Sequence, residues 1–225
     1  MPPNTPPESL NPIITRPLPN AVVYDLTSPT QTTITLPPNS TWTSGLHYHT
    51  THTEFLLLLH GSIRLRLGGG ATLLTAPKSG EGIEITIPRF ARHEWSRAGG
   101  DAEDASDVVV IERTDPADGA KSVFFWNLNG AILEFSERRV QGWYAEFWLM
   151  IELFSIFWAL DNYPVFLDLS RFGGIGRGVE GCVTYLVLAA ARGVGWIGGI
   201  DGVRRERMPR ELWVESERRG KGKRG

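Results

Sequence analysis

The sequence predicts a mainly β protein in which an antiparallel jelly-roll barrel is followed by a pair of apolar helices. Three observations favour this fold class. Short runs rich in β-branched and aromatic residues recur from about residue 21, with turn residues between them. No helical period appears before about residue 140. Beyond that point the chain becomes strongly aromatic and apolar over the length of two helices.

The first predicted segment is a flexible arm, residues 1–20. It contains seven prolines and no long apolar run. This composition is typical of extended or disordered chain and not of a secretory signal peptide. We therefore expect the barrel domain to occupy residues 21–135.

The barrel domain shows eight candidate strands. The run at 83–87 alternates apolar and polar residues, which is typical of a half-buried strand. Three consecutive glycines, residues 68–70, predict a turn. Many short strands with turns between them indicate a barrel or jelly roll. The predicted strands are residues 21–24, 32–36, 46–49, 54–60, 63–67, 83–87, 108–112 and 122–128.

One strand register can be predicted. A two-residue loop that begins at Gly61 would join the strands at 54–60 and 63–67 as a hairpin, with Leu58 opposite Leu65. Alternate side chains then face inward, Glu54 among them. The outer face carries Phe55, Leu57 and Leu59. This face is too apolar to remain bare, so a second sheet, the C-terminal segment or another subunit should cover it.

Four residues have the chemistry and spacing of a metal site: His47, His49, Glu54 and His93. His47 and His49 are two positions apart, so their side chains lie on the same face of one strand. Three neutral imidazoles and one carboxylate can hold a divalent first-row metal and leave positions open for water, substrate or oxygen. The alternative is that they are ordinary polar residues of a strand surface. His52 either caps the intervening turn or swings toward the metal.

Two sequence blocks carry a resemblance to a known family. HYHTTHTEFLLLLHG, residues 47–61, and GIEITIPRFARHEW, residues 82–95, resemble the two motifs of the cupin superfamily. The resemblance implies a cupin-type barrel, and it places the family's metal positions on the four residues named above. The chain departs from the motifs where glycine falls on Thr41 and on Phe90, and where asparagine falls on Arg97. Cupins are commonly dimers, so the resemblance also implies a homodimer.

The closer resemblance is to single-domain cupins, of cupin type 2, that accompany fungal polyketide biosynthetic enzymes. It rests on HYHTTHTEF, IPRFARHEW, ERTDPADG, FFWNLNG and ALDNYPVFLDL. Such proteins are described as oxidoreductases acting on polyketide intermediates. The resemblance therefore implies a metal-dependent oxidoreductase with a small hydrophobic or aromatic substrate. The alternatives are a Lewis-acid isomerase or dehydratase and a non-catalytic binder of a hydrophobic metabolite.

The metal and the substrate pocket can be predicted only in outline. Iron is favoured, while manganese, nickel, zinc and copper suit the same ligands. Phe90 and Trp95 flank His93 and would pack on a flat or hydrophobic substrate. Arg97 could pair with a carboxylate or phenolate of that substrate, and the alternative is a surface ion pair with the acidic residues at 101–107.

The last third of the chain has two apolar stretches, 143–166 and 182–200. Each has about the length of a membrane span, roughly 20 residues. Basic residues flank the pair on both sides, which suits a membrane hairpin with both ends in the cytosol. Three charged residues, Glu146, Glu152 and Arg192, would be costly in lipid. The alternative is a helical cap on the barrel. We predict a helical hairpin over 140–200, membrane-associated through residues 143–200, and a basic polar tail over 201–225.

Net charge and cysteine content limit which partners and which cellular compartment can be expected. The formal net charge of −2 gives no reason to expect a nucleic-acid partner. The single cysteine, Cys182, excludes an intrachain disulfide and favours a reducing compartment. We therefore expect an intracellular protein with a cytoplasmic barrel, anchored to a membrane by the C-terminal hairpin.

Overall fold

A computed structural model describes residues 10–99, 106–137 and 142–214 of the 225-residue chain. Two antiparallel sheets share one apolar core, and helices follow the barrel strands. The strands are β1 Ile13–Arg16, β2 Val22–Asp25, β3 Gln31–Leu36, β4 His47–Tyr48, β5 Thr53–His60, β6 Ser62–Leu67, β7 Gly70–Thr75, β8 Ile83–Ile87, β9 His93–Arg97, β10 Val108–Asp115 and β11 Tyr163–Pro164. The helices are α1 Ala120–Glu137, α2 Trp143–Ala159 and α3 Gly173–Ile197.

The strand order is that of a two-sheet jelly roll. One sheet runs β1-β2-β3-β10-β5-β8 and the other runs β11-β4-β9-β6-β7. Alternate residues of β3, β5 and β10 are buried, as period-2 patterning requires when one face of a sheet covers a core. The predicted fold class, a mainly β jelly-roll barrel with C-terminal helices, is confirmed.

The predicted hairpin at Gly61 is wrong. β5 pairs with β8 and β10, whereas β6 pairs with β7 and β9, so the chain changes sheets at this glycine. Gly61 has φ +76°, and a Cβ atom there would lie 2.8 Å from a methyl carbon of Val108. A residue without a side chain is therefore needed at the corner. The predicted inward direction of the leucine side chains is nevertheless correct, because Leu58 and Leu65 are both buried in the common core.

Part of the predicted flexible arm belongs to the barrel. Within residues 1–20, β1 extends the first sheet by pairing with β2, and Ile14 lies opposite Tyr24. Residues 1–9 lie outside the described part of the chain. The arm therefore contributes an edge strand, which positions Arg16 beside the barrel interior.

The strand predicted at 122–128 is wrong, because these residues lie in α1. Asp118 accepts a hydrogen bond from the backbone N–H of Ala120 at the helix start. Four consecutive residues, Val123 to Trp126, are buried in the main core. A helix enclosed on several sides has no polar stripe, so its sequence lacks the helical period and resembles a buried strand.

The predicted membrane hairpin is also wrong. No helix in the described ranges is both long enough and apolar enough to cross a membrane. α2 has 17 residues, and the longer α3 carries Arg177, Glu180 and Arg192. α2 packs against α3 and against α1, which gives its apolar residues protein neighbours.

The segment that follows α3 provides ion-pair partners for Glu152, one of the charged residues within the apolar stretches. Residues 203–208, which lie in the predicted polar tail, fold back onto α1 and α2, and Met208 is fully buried. Arg204 and Arg207 form ion pairs with the buried carboxylate of Glu152 at 2.8 and 3.1 Å. Arg207 also donates two hydrogen bonds to Glu134, each 2.6 Å long. Residues 215–225 of the predicted tail lie outside the described part.

Candidate metal centre

Three strands bring the four predicted ligands together. His47 on β4 lies opposite His93 on β9, His49 follows β4 directly, and Glu54 projects inward from β5. All four side chains are buried, and one ligand atom from each lies within 4.8 Å of all the others. His-x-His spacing on a strand accounts for the first two, the pairing of β9 with β4 adds His93, and the packing of the two sheets adds Glu54.

Backbone carbonyls orient all three imidazoles. Nδ1 of His47 donates to the carbonyl of Gly45 at 2.8 Å, that of His49 to Asp161 at 2.5 Å, and that of His93 to Ala91 at 3.0 Å. With its Nδ1 proton engaged, each neutral ring presents an Nε2 lone pair. This outer-shell pattern is common for metal-binding histidines.

The close approach of Glu54 to two imidazole nitrogens suits a cluster that shares a cation. Nε2 of His49 and Nε2 of His93 each lie 2.9 Å from Oε2 of Glu54. In the tautomer described above, lone pairs would face one another across both distances. Either added protons or one metal ion relieves this repulsion, and three nitrogens with one carboxylate suit a divalent first-row metal.

Burial and neighbouring charges set the protonation of two ligands. Burial, reinforced by nearby His93 and His49, lowers the pKa of His47 well below its ordinary value. Burial alone would raise the pKa of Glu54, but Lys121 holds it well below its ordinary value, and the neighbouring His49 and His93 act in the same direction when they carry a proton on Nε2. The centre therefore offers a neutral imidazole and a carboxylate, which are the ligand forms of these side chains.

Sequence reasoning missed a buried lysine beside the ligands. Nζ of Lys121 lies 2.5 Å from Oε1 of Glu54 and 2.9 Å from Oε2 of Glu112. Glu112 also accepts a hydrogen bond of 2.8 Å from Nε1 of Trp95. Burial raises the pKa of Glu112 against the opposing effect of Lys121. The available signal was a single lysine at the start of an otherwise uncharged apolar run.

Asp161 was missed as well, although it organises the loop between the first ligands. Its carboxylate accepts hydrogen bonds from the backbone N–H groups and hydroxyls of Thr50 and Thr51 at 2.6–3.0 Å. Its carbonyl oxygen accepts the hydrogen bond from His49 already described. Asp161 has φ +55°, a conformation that aspartate tolerates better than most residues. It lies between α2 and β11, inside the stretch predicted to be a membrane hairpin.

His52 caps the turn and stays out of the ligand cluster. Its Nδ1 lies 2.8 Å from Asp161, and its Nε2 lies 3.3 Å from Asp118. Hydrogen bonds to Asp118 and then to Asp161 raise the pKa of His52 to about 9. The ring is therefore a cation at neutral pH, which settles its role as a structural partner of two carboxylates.

A cavity of about 260 Å³ adjoins the ligands and is roofed by helices. His47 and His49 lie in its wall, together with Lys121 and Glu112. The apolar part of the wall comes from α1 and α2, through Phe124, Phe125, Leu128, Ile132, Leu153 and Phe157. The helices thus cover the mouth of the barrel beside the centre. On the outer face of β5, Phe55 lies beneath the guanidinium of Arg113.

None of the three predicted substrate residues, Phe90, Trp95 and Arg97, lines this cavity, and their contact with a substrate stays a prediction. Trp95 is buried against Trp42, with ring centroids 4.8 Å apart. Arg97 donates to the carbonyls of Leu36 and Ser106. Phe90 is 56 % exposed and has φ +64° at the position where the cupin motif has glycine. The alternation of β9 places Trp95 and Arg97 on the side of His93, but none of the residues of β9 lines the cavity.

Comparisons with known proteins give low similarities. No family model matches the chain, and no curated protein matches it. Among solved structures it is similar to a predicted oxalate decarboxylase from Thermotoga maritima, with 19 % identity, 37 % of this chain and 63 % of that chain covered, and a TM-score of 0.30. It is also similar to a sugar phosphate isomerase from a cupin superfamily of Silicibacter pomeroyi, with 20 % identity, 37 % and 48 % covered, and a TM-score of 0.30.

A third similar structure is the capsular polysaccharide assembling protein CapF from Staphylococcus aureus. It is 17 % identical, 47 % of this chain and 28 % of that chain are covered, and the TM-score is 0.34. The chain thus matches less than two thirds of the length of each of these three proteins. Similarities this low assign no activity, and the function is argued below from the geometry of the site.

Proposed function

We propose that this chain is a metal-dependent enzyme, an oxidoreductase that acts on a small hydrophobic or aromatic, polyketide-like metabolite. His47, His49, Glu54 and His93 would hold one divalent transition metal, with iron favoured. One observation carries the proposal: three oriented imidazoles and a carboxylate converge on one point, and two of them, His47 and His49, line a largely apolar cavity. Concave, mostly apolar pockets with a few convergent polar groups are typical ligand sites.

The cavity supports a small hydrophobic substrate. Its volume of about 260 Å³ lies near the lower end of the range for ligand pockets, roughly 300–1,000 Å³. Aromatic side chains of α1 and α2 form the wall facing the ligands, Phe124 and Phe157 among them. Such a wall would hold a flat molecule against the centre and exclude water from it.

The metal, when bound, would supply Lewis acidity or oxygen activation. The chain's own residues would set the surrounding charge. Lys121 lies between Glu54 and Glu112, so it would keep the ligand carboxylate ionised while balancing the second buried acid. Removing Lys121 would leave two buried carboxylates facing each other, which is strongly unfavourable.

Metal content tests the first half of the proposal. The full chain, purified without added metal, should contain one divalent ion per chain by elemental analysis. His49→Ala should lose most of that ion, because one of four ligands is removed. His60→Ala is the matched control, since His60 lies outside the cluster and donates to the carbonyl of Asp107. Stoichiometric metal in a His47→Ala/His49→Ala double variant would refute the assignment.

Oxygen dependence tests the second half. With an aromatic polyketide as substrate, turnover by the iron-loaded protein should consume oxygen and stop under anaerobic conditions. Undiminished anaerobic turnover would instead establish a Lewis-acid isomerase or dehydratase. Tight, metal-independent binding of the same compound without turnover would establish a non-catalytic binder.

A further inference from the structure

A second polar group faces the same cavity through Arg16, Tyr24 and Trp42. Arg16 belongs to β1, the strand within the predicted arm, and Tyr24 belongs to the neighbouring β2. None of these three residues is a ligand of the proposed centre. They nevertheless share one continuous cavity with His47 and His49.

Arg16 has unused hydrogen-bonding capacity in this cavity. Its Nη2 donates to the hydroxyl oxygen of Tyr24 at 3.1 Å, and its guanidinium carbon lies 5.5 Å from the centroid of that ring. Its Nε is buried and has no hydrogen-bond partner among the described residues. Within the same residues, no carboxylate forms an ion pair with Arg16. An unpaired buried donor is energetically unfavourable, so such a group points to a ligand.

Tyr24 offers a second free donor at the same place. Its oxygen accepts hydrogen bonds from Arg16 and, at 2.9 Å, from Nε1 of Trp42. Its own O–H proton has no acceptor within the ranges that the structure describes. Burial raises the pKa of Tyr24 to about 12, so the proton stays on the phenol at neutral pH. A guanidinium N–H and a phenol O–H are therefore both available for an acceptor.

The contrast with the other cation of the cavity strengthens this interpretation. Lys121 is balanced by Glu54 and Glu112, each within hydrogen-bonding distance. Among the described residues, Arg16 is hydrogen-bonded only to a neutral phenol. The Arg16 side of the cavity thus carries a positive charge that no carboxylate of the described residues pairs with, and it fits a group that brings negative charge and hydrogen-bond acceptors.

We propose that Arg16 and Tyr24 form an anion-binding subsite, and that the ligand of this cavity is a small aromatic carboxylate. Its carboxylate accepts hydrogen bonds from Arg16 and Tyr24, and its apolar body lies along Phe124 and Phe125 toward the metal ligands. This inference rests on the proposed function in that the bound carboxylate would be the substrate of the metal centre. In addition to forming the edge strand of its sheet, β1 then determines the class of substrate.

A charged and a neutral probe of equal size test the subsite. The probes are 2-naphthoate and 2-naphthamide, and their binding to the full chain is measured by calorimetry, with and without prior metal removal by a chelator. The variants are Arg16→Gln, which removes the charge, and Arg16→Lys, which keeps it without the planar fork. Arg64→Gln is the control, because Arg64 is an exposed arginine of β6. Thermal unfolding of each variant establishes that it is folded.

For the metal-free wild-type protein and for Arg64→Gln, we expect naphthoate to bind at least tenfold more tightly than naphthamide. Arg16→Gln should abolish this preference and leave naphthamide binding unchanged. Arg16→Lys should keep the preference while binding naphthoate several-fold more weakly, and it provides the test if Arg16→Gln does not fold.

Two results would overturn the subsite. One is a preference for naphthoate that survives in folded Arg16→Gln. If it survives only with metal present, the carboxylate binds the metal, and the proposed function stands without this subsite. The other is no measurable naphthoate binding by the wild-type protein in either form. Conversely, a chain that holds no metal but shows the Arg16-dependent preference would refute the proposed function and retain the subsite.

Discussion

The barrel and the C-terminal segment, residues 142–214, contribute different things to the same site. The barrel supplies all four candidate ligands from three neighbouring strands. The C-terminal segment supplies Asp161, whose carbonyl contacts His49 across 112 residues of sequence, and α2, which roofs the cavity. The candidate ligands therefore come from the barrel sequence itself. The residues that support them and limit their access to solvent come from a distant part of the chain.

The two regions also bury their apolar residues differently. The barrel encloses a core between two sheets, while the helices bury one side and leave the other exposed. In α3, Leu188 is fully buried and Ile175 is 83 % exposed. The charge of Glu152 is matched by arginines from the segment that follows the helices. An apolar stretch about as long as a membrane span can therefore form helices that are buried on one side and exposed on the other. A charged residue within it, such as Glu152, can be paired inside the protein.

The most severe test of this comparison is a chain that ends at Glu137. It lacks β11, which pairs with β4 beside His47, and it lacks the α2 side chains that cover the cavity. We expect aggregation and at least a tenfold loss of bound metal, measured by size-exclusion chromatography and elemental analysis. A chain that ends at Val214 keeps every described residue and is the control. A soluble, metal-loaded 1–137 fragment would show that the barrel is independent of the segment.

Packing of α2 can be tested with two isoleucines. Ile156 is fully buried between helices and barrel, so Ile156→Ala should lower the free energy of unfolding by about 2–5 kcal/mol. Ile175→Ala removes the same atoms from an exposed position of α3, and the change should stay within about 0.5 kcal/mol. Urea denaturation measures both. Equal effects of the two substitutions would contradict the burial of Ile156 and the exposure of Ile175.

The support given by Asp161 can be separated from its backbone conformation. Asp161→Asn tolerates the same left-handed φ but removes the charge that holds Thr50, Thr51 and His52. We expect metal affinity to fall about 10–100-fold, as for other outer-shell substitutions. Asp168→Asn is the control, since Asp168 pairs with Arg66 away from the ligands. Metal affinity is measured by competition with a chromophoric chelator, and an unchanged value would show that Asp161 only shapes the loop.

The smallest expected effect is a pH dependence of stability. The pKa of His52 is raised to about 9, so its stabilising contribution is complete below the ordinary value, near 6.5, and is lost as pH rises through 9. Because Asp118 is partly exposed, we expect a loss on the order of 1 kcal/mol over this range. In chelator-treated protein, His52→Gln should lose correspondingly less between pH 6.5 and 9. Parallel pH profiles of the two proteins in urea would contradict this assignment.

Several features of the site could be read directly from the chain because they depend on local spacing. His47 and His49 share a face because strand side chains alternate, and the inward direction of Glu54 follows from the same period. The mainly β class followed from short strands and turns. The α1 helix could not be predicted from the sequence, because burial on several sides removes the helical period.

The sequence by itself determined the four candidate ligands, the jelly-roll class and the inner faces of the strands. Only the tertiary structure decided which sheet each strand joins, that Lys121 and Glu112 lie beside the ligands, and that Arg16 faces the cavity. It also showed that α2 packs against α1 and α3, and that no helix in the described ranges is long and apolar enough to cross a membrane. Alternation and ligand spacing act between residues a few positions apart. Charge pairing and the closing of a cavity join residues separated by up to about a hundred positions, and no local pattern records such distances.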